Sequence, residues 1–385
     1  MIYVHVPFCR SFCTYCDFYS EVATRCRKDE ELQKQEALFG EFSNALAAEV
    51  AARAEEITDD VNTLYIGGGT PSVLPLSAFQ TLLSALCESG HGGPFDEFTV
   101  EVNPEDIVEK GRAYVEGLLD LGVNRISMGV QSFDDSVLKF MNRRHDSATA
   151  RKAYGILEDS GVRNISIDLI FGLPQLTMHQ WSETLKKALD ISQRGVLPQH
   201  ISSYQLSVEP GSMLARLVEK GLWSEASEEL CQEQYSALCD VLASAGYHHY
   251  EISNFAQPGF EARHNSAYWS HVPYVGLGPG AHSFSETTRR WNLPDLQAYL
   301  TAAQSGNFSS VQEGESLDLG QLTLECIMLG LRTSAGLPES YLRANCNQSA
   351  LKRALSLGHL VPSGTNLRIP ESNFFISDTI ISSLV

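Results

Sequence analysis

No run of eighteen or more apolar residues occurs in this 385-residue chain, so no segment reads as a membrane-spanning helix. Positive charge is scarce. Against 47 acidic residues stand 28 basic ones, a net charge of −19, which argues against a nucleic-acid partner and favours solubility. Two short basic groups, Arg143-Arg144-His145 and Arg289-Arg290, read as solvated surface or as a local basic cleft. A dense pattern of paired cysteines is missing too. Of nine cysteines, Cys26, Cys87, Cys231, Cys239, Cys326 and Cys346 are scattered and read as small buried hydrophobes in a reducing compartment. Met1 leads straight into IYVHVPF without a basic n-region or a cleavage site. Neither a secretory leader nor a transit peptide is therefore expected, and the expected location is cytoplasmic. Internal repeats and low-complexity tracts are absent as well.

What is present is alternation. Apolar, β-branched runs at 2–6, 62–68, 97–103, 124–132, 163–174 and 200–208 read as strands. Helical patterns lie between them at 29–57, 76–88, 105–121, 147–160 and 178–191. About six βα repeats with short loops imply a parallel sheet covered by helices, with chemistry at the carboxyl ends of the strands. After about residue 210 the pattern changes. Residues 227–246 read as helix, and 254–295 are rich in Gly, Pro, His and aromatics. QSGNFSSVQEGES, near 310, reads as a linker before a compact tail of helices and a short β-like segment.

Three cysteines, Cys9, Cys13 and Cys16, fall within CRSFCTYCDFY directly after the first strand. Thiolates suit zinc or iron–sulfur clusters, and three is one short of a tetrahedral zinc site. No second knuckle lies nearby, and neither His5 nor His91 sits at knuckle spacing. A redox CxxC formed by Cys13 and Cys16, or three incidental buried thiols, are the other readings. Downstream, Gly67-Gly68-Gly69-Thr70-Pro71 closes a strand where close backbone approach is possible without Cβ atoms. Glu101, Gln131 and Asp168 sit in or at the ends of apolar strands, where a polar group must be paired or must face a ligand.

The CxxxCxxC loop resembles that of the radical S-adenosylmethionine (SAM) superfamily. The resemblance implies that Cys9, Cys13 and Cys16 hold three irons of a [4Fe–4S] cluster and that SAM occupies the fourth. With YVHVPFCxxxCxxCDF, YIGGGTPS, EVNPE, RISMGVQSF and DLIFGLP, the chain is similar to the coproporphyrinogen III dehydrogenase-like family over nearly its whole length. Carried over by position, Tyr3, Tyr15, Gly68, Gly69, Thr70, Glu101, Gln131, Arg143 and Asp168 match SAM contacts. The implied fold is α/β: a partial TIM-type (β/α)6 barrel over residues 1–215, a family-specific extension over 216–310, and a mostly helical, winged-helix-like unit over 311–385.

Within that family, the oxygen-independent dehydrogenase branch carries CxxxCxxCxC and an N-terminal extension. Here position 18 is Phe, and no such extension is expected. A branch of heme chaperones fits both points and carries HNxxYW, which stands here as His264-Asn265-Ser266-Ala267-Tyr268-Trp269. The resemblance implies heme contact, with His264 as candidate axial ligand and His282 as a second candidate; His248, His249 and His271 stay open. A structural histidine in an aromatic loop is the bland reading of His264. The expected cofactors are the cluster, SAM and heme. The expected partners are apo-hemoproteins such as respiratory cytochromes, with a homodimer and peripheral contact with membrane proteins left open. Coproporphyrinogen III dehydrogenation is the main alternative, and another radical reaction on a tetrapyrrole and a zinc-only role follow it.

Overall fold

In the computed structural model, residues 1–23, 29–58 and 61–385 are described, so Cys26 lies outside the described residues. Six strands follow one another in parallel: β1 (Ile2–Val6), β2 (Thr63–Gly68), β3 (Glu97–Val102), β4 (Arg125–Gln131), β5 (Ile165–Phe171) and β6 (His200–Gln205). Helices α1 (Asp29–Arg53), α2 (Leu76–Glu88), α3 (Pro104–Asp120), α4 (Ser147–Asp159) and α5 (Met178–Leu189) connect them. Each lies within a few residues of the span its periodicity suggests. The alternation of β1 explains its place. Ile2, Val4 and Val6 are buried, and Val4 and Val6 pack with Leu46 of α1 and Ala78, Phe79 and Leu82 of α2. Tyr3 and His5 point to the opposite face, because successive strand side chains alternate.

Three more strands extend the sheet. β7 (His248–Glu251) and β8 (Asn254–Ala256) add antiparallel strands beyond β6, and β9 (Val275–Leu277) pairs in parallel with β1. The order is β9-β1-β2-β3-β4-β5-β6-β8-β7, an open sheet whose two end strands do not pair, consistent with a partial barrel. All three strands come from the segment assigned above to an extension. Helix α6 (Glu228–Ser244) packs outside α5 and β5, and the short helix α7 (Arg263–Trp269) contacts β2.

The segment expected as a linker near 310 runs from a helix end through a 3-10 turn over Phe308–Val311 into a strand. Gln312–Ser316 pairs with Thr288–Asn292, which pairs in turn with His282–Ser285, placing Trp291 opposite both Glu313 and His282. Its polar composition reflects an exposed edge rather than a mobile connection. The tail holds helix α8 (Leu319–Gly330), the 339–345, 348–356 and 377–384 helices, and a small antiparallel sheet formed by Leu337–Pro338, Val361–Ser363 and Asn366–Arg368. No helix among the described residues is long and apolar enough to cross a membrane.

Candidate functional site

At the carboxyl ends of β1–β6 a cavity of about 450 Å³ opens. Cys9, Cys13 and Cys16 all line it, as do Tyr15, Gly68, Gly69, Thr70, Glu101, Gln131, Arg143 and Asp168. The cysteine loop is anchored to the sheet from several sides. Phe8–Cys9 pairs in parallel with Glu21–Val22, and His5 Nε2 lies 2.8 Å from the Tyr19 carbonyl. Asn142 Nδ2 donates to the Phe12 carbonyl (2.7 Å), and the Thr14 N–H donates to the Met141 carbonyl (3.2 Å). The backbone N–H groups of Gly69 and Thr70 donate to the Val6 and Phe8 carbonyls, which fastens the glycine turn to the same loop.

Gly68 carries φ +102°, and a Cβ there would lie 2.6 Å from His5 Nδ1. A Cβ on Gly69 would meet the Phe8 carbonyl oxygen at 2.7 Å. The glycines therefore let the turn press against the strand that launches the cluster loop. Gln131 ends β4 with φ +65°, at a slip in the β4–β5 register. This left-handed, bulged position carries its side chain to the cavity wall.

Cys9 Sγ lies 3.4 Å from Thr70 Oγ1, and Arg143 Nη1 donates to Cys13 Sγ at 3.4 Å. Burial pushes the Cys16 thiol up to about 12, with Cys13 and Cys9 adding to the rise, and burial also raises Cys9. Sites that desolvate thiols in this way hold them as thiolates only when bound cations supply the opposing charge. Among the described residues no three such side chains converge on a single metal ion. Cysteines that each bind a different iron of a cluster need not converge as zinc ligands do. Three soft thiolates on one cavity are a donor set that suits an iron–sulfur cluster.

Below the loop the inner face of the sheet is polar. Tyr65 donates to Glu101 (2.6 Å), and burial pushes Glu101 up to about 7. Ser127 donates to both Asp168 oxygens at 3.2 and 3.3 Å, and burial raises this carboxyl as well. Arg125 reaches the same cavity, buried, with its Nε unpartnered. Arg143 Nη2 donates to Asn103 Oδ1 (2.6 Å) and the Gly129 carbonyl (2.8 Å), while its Nε is also unpartnered. Unsatisfied buried donors next to acid groups and ring-bearing walls suit a polar ligand that carries both charges and hydroxyls. Arg125, Tyr65, Ser127 and Asn103 escaped the sequence reading. Arg125 carried the signal that found Asp168, a charge inside an apolar strand.

Several expectations need correction. Arg143-Arg144-His145 is not a solvated basic patch. Arg143 lies in the site, and His145 is buried between Glu105 and the Val130 carbonyl. Burial alone would raise Glu105, but His145 and the Arg143 charge hold it down at about 2. Arg289 and Arg290 do not form a free basic cleft, since they pair with Glu325 and Glu56. Cys87 is exposed, not buried. Tyr3 does not line the cavity; its hydroxyl sits 3.1 Å from His5 Nδ1 and its ring lies beside Tyr65.

His264 does not line the cavity. It is 1% exposed and stands with α7 at the amino ends of the strands, where Glu97 Oε1 accepts its N–H at 3.1 Å. Nδ1 lies 2.8 Å from Thr63 Oγ1, and Nε2 lies 3.1 Å from Tyr268 Oη, one helical turn on. Burial pushes its pKa down to about 3. Both nitrogens are engaged, which is the geometry of a structural histidine. Of the HNxxYW group, Asn265 reaches the cavity.

Comparison with known proteins agrees with this architecture. The Radical SAM superfamily model matches residues 3–188. The heme chaperone HemW of Lactococcus lactis is 36% identical, covering 87% of this chain and 82% of its own. HemW of Bacillus subtilis is 33% identical, covering 94% and 89%. The solved structure of coproporphyrinogen III oxidase (HemN) from Escherichia coli, described as a radical SAM enzyme, superimposes with a TM-score of 0.79 at 21% identity, covering 99% of this chain and 89% of its own, and so shares the fold. The chain belongs to the radical SAM superfamily and, within it, to the family whose curated members are named heme chaperone HemW.

Proposed function

We propose that this chain binds a [4Fe–4S] cluster, SAM and heme in the cytoplasm and passes heme to apo-hemoproteins such as respiratory cytochromes. The observation that carries the reading is the convergence of Cys9, Cys13 and Cys16 on one cavity, with no fourth cysteine lining it among the described residues. In this reading the three thiolates would hold the cluster, and SAM would bind beside it in the same cavity. Glu101, Asp168 and Ser127 would hold the ribose side, and Thr70, Gln131 and Arg143 the amino-acid side. The names of the curated relatives support heme handling.

Phe18 supports carriage over porphyrin decarboxylation. It stands where the dehydrogenase branch places a further cysteine, and it lines the cavity at 63% exposure, as does Phe12 at 53%. For the iron ligand, His282 fits better than His264. Its ring is exposed and stacks on Trp291, with centroids 5.8 Å apart, so a flat apolar surface lies next to an accessible imidazole.

The test is anaerobic reconstitution followed by two assays on one preparation. Heme titration and transfer to an apo-cytochrome should succeed, and coproporphyrinogen III should remain intact. Decarboxylation at enzymatic rates without heme transfer would replace this reading with the dehydrogenase one.

A further inference from the structure

Where α8 meets the turn after α7, a group of side chains stands apart from the cluster cavity. Cys326 Sγ lies 3.4 Å from His271 Nδ1. The other nitrogen of that ring, Nε2, lies 3.1 Å from Glu325 Oε2. Arg289 Nη2 donates to both oxygens of Glu325, at 2.9 and 3.0 Å, which fixes the carboxylate. The imidazole stacks on Phe284 with centroids 4.3 Å apart and planes 27° from parallel, which fixes the ring. His271 has φ +57°, a left-handed backbone that a non-glycine residue keeps only where its surroundings over-determine it.

Thiol, imidazole and carboxylate in this order are the parts of an activated nucleophile. The imidazole takes the thiol proton, and the carboxylate orients the ring and stabilises the resulting cation. The group is reachable from solvent. The side chains of His271 and Glu325 are 17% and 20% exposed, and Cys326 is half-buried. Cys239 supplies an internal contrast. It lies farther from its imidazole, 3.9 Å from His249 Nδ1. Nε2 of His249 meets the Tyr235 hydroxyl and the Ile252 carbonyl instead of a carboxylate.

We propose that Cys326 is a reactive thiol, activated by His271 and oriented through Glu325, whose substrate is a small hydroperoxide. The thiolate sulfur attacks the terminal peroxide oxygen and the O–O bond breaks. The departing hydroxide or alkoxide takes the proton from the His271 imidazolium and leaves as water or alcohol. Cys326 is oxidised by two electrons to the sulfenic acid while the peroxide is reduced. The product sits on the contact between α8 and the 282–292 hairpin, held by the Arg289–Glu325 pair, so oxidation alters that contact. The proposal is independent of heme carriage and goes beyond it.

The test is competitive trapping on the reconstituted full chain. Hydrogen peroxide is added with dimedone, and labelling is read peptide by peptide by mass spectrometry. The exposed Cys87 serves as reference thiol within the same sample. Cys326 should label about tenfold faster than Cys87. His271→Gln and Glu325→Gln should each bring it down to the Cys87 rate, and Glu325→Asp should restore part of the gain. Unchanged labelling of the buried Cys231 shows that a variant has remained folded. Wild-type Cys326 labelling no faster than Cys87 overturns the proposal without any variant. So does undiminished labelling of Cys326 in folded His271→Gln.

Discussion

Gly68 joins backbone geometry to the chemistry of the cavity. Its φ of +102° and the His5 ring 2.6 Å from where a Cβ would stand leave no room for a side chain. Gly68→Ala should cost about 1–3 kcal/mol of stability from backbone strain and overpacking. Because His5 also touches the Tyr19 carbonyl at the end of the cluster loop, iron and sulfide uptake on reconstitution should fall with it. Denaturant melts and iron analysis read the two effects separately. His264→Ala should behave differently. It strips Thr63 and Tyr268 of a partner and opens a hole under the sheet, costing about 2–4 kcal/mol, while heme affinity and the heme absorption spectrum stay as in wild type. The cysteines, Gly68, Glu101 and Asp168 were legible in the sequence because a thiol cluster, a glycine turn or a charge interrupts an apolar strand. The role of His264 was not, because Thr63 lies 201 residues away and no local pattern shows that both ring nitrogens are occupied.

At the scale of elements, the β7–β8 hairpin joins the parallel sheet to the tail. Glu251, fully buried at the end of β7, accepts from the Ser253 N–H at 3.0 Å and contacts the Asn254 side chain. Beside it the N–H groups of Ile252 and Ser334 donate to the carbonyls of Arg332 and Tyr250 across the junction. Burial pushes Glu251 up to about 7. The folded chain therefore binds this proton more tightly than the unfolded chain does. The neutral carboxyl's favourable contribution is complete below the ordinary glutamate range and is lost as pH rises through about 7. Glu251→Gln should remove this slope. The difference between variant and wild-type unfolding free energies should move in the variant's favour by on the order of 2 kcal/mol between about pH 5 and pH 8. Glu101 titrates in the same window but is present in both chains, so the difference isolates Glu251. The hairpin itself was hidden in the sequence. HHYE and NFA span four and three residues, too short for alternation to stand out, and their pairing is with β6 and with each other.

For the whole molecule, the sheet decides what can fold alone. The six parallel strands were legible because βα alternation repeats at regular spacing and each strand carries a buried apolar face. The matching family model stops at residue 188, and the sequence reading placed a boundary at 215. Yet β9, from residues 275–277, covers the outer edge of β1 with a register of Ile2 to Val275, Tyr3 to Gly276 and Val4 to Leu277. β8 covers β6 at the other edge. A chain ended at 215 would expose both edges of a parallel sheet and the apolar flank of β5 that α6 covers. It would also lose the Arg53 contact with the Gly276 carbonyl, made at 2.7 Å, and leave Glu49, now met by Tyr299, Asn292 and the Gly278 N–H, paired with Arg53 alone. Residues 1–215 should therefore collapse or aggregate, with weak near-ultraviolet dichroism and rapid amide exchange in β1 and β6, and should not retain iron on reconstitution. The full chain should protect the same amides strongly. If residues 1–215 gave a cooperative melt and a stable cluster, the later strands would be additions to a sheet already able to stand, and the continuity of the nine strands would carry no energetic weight.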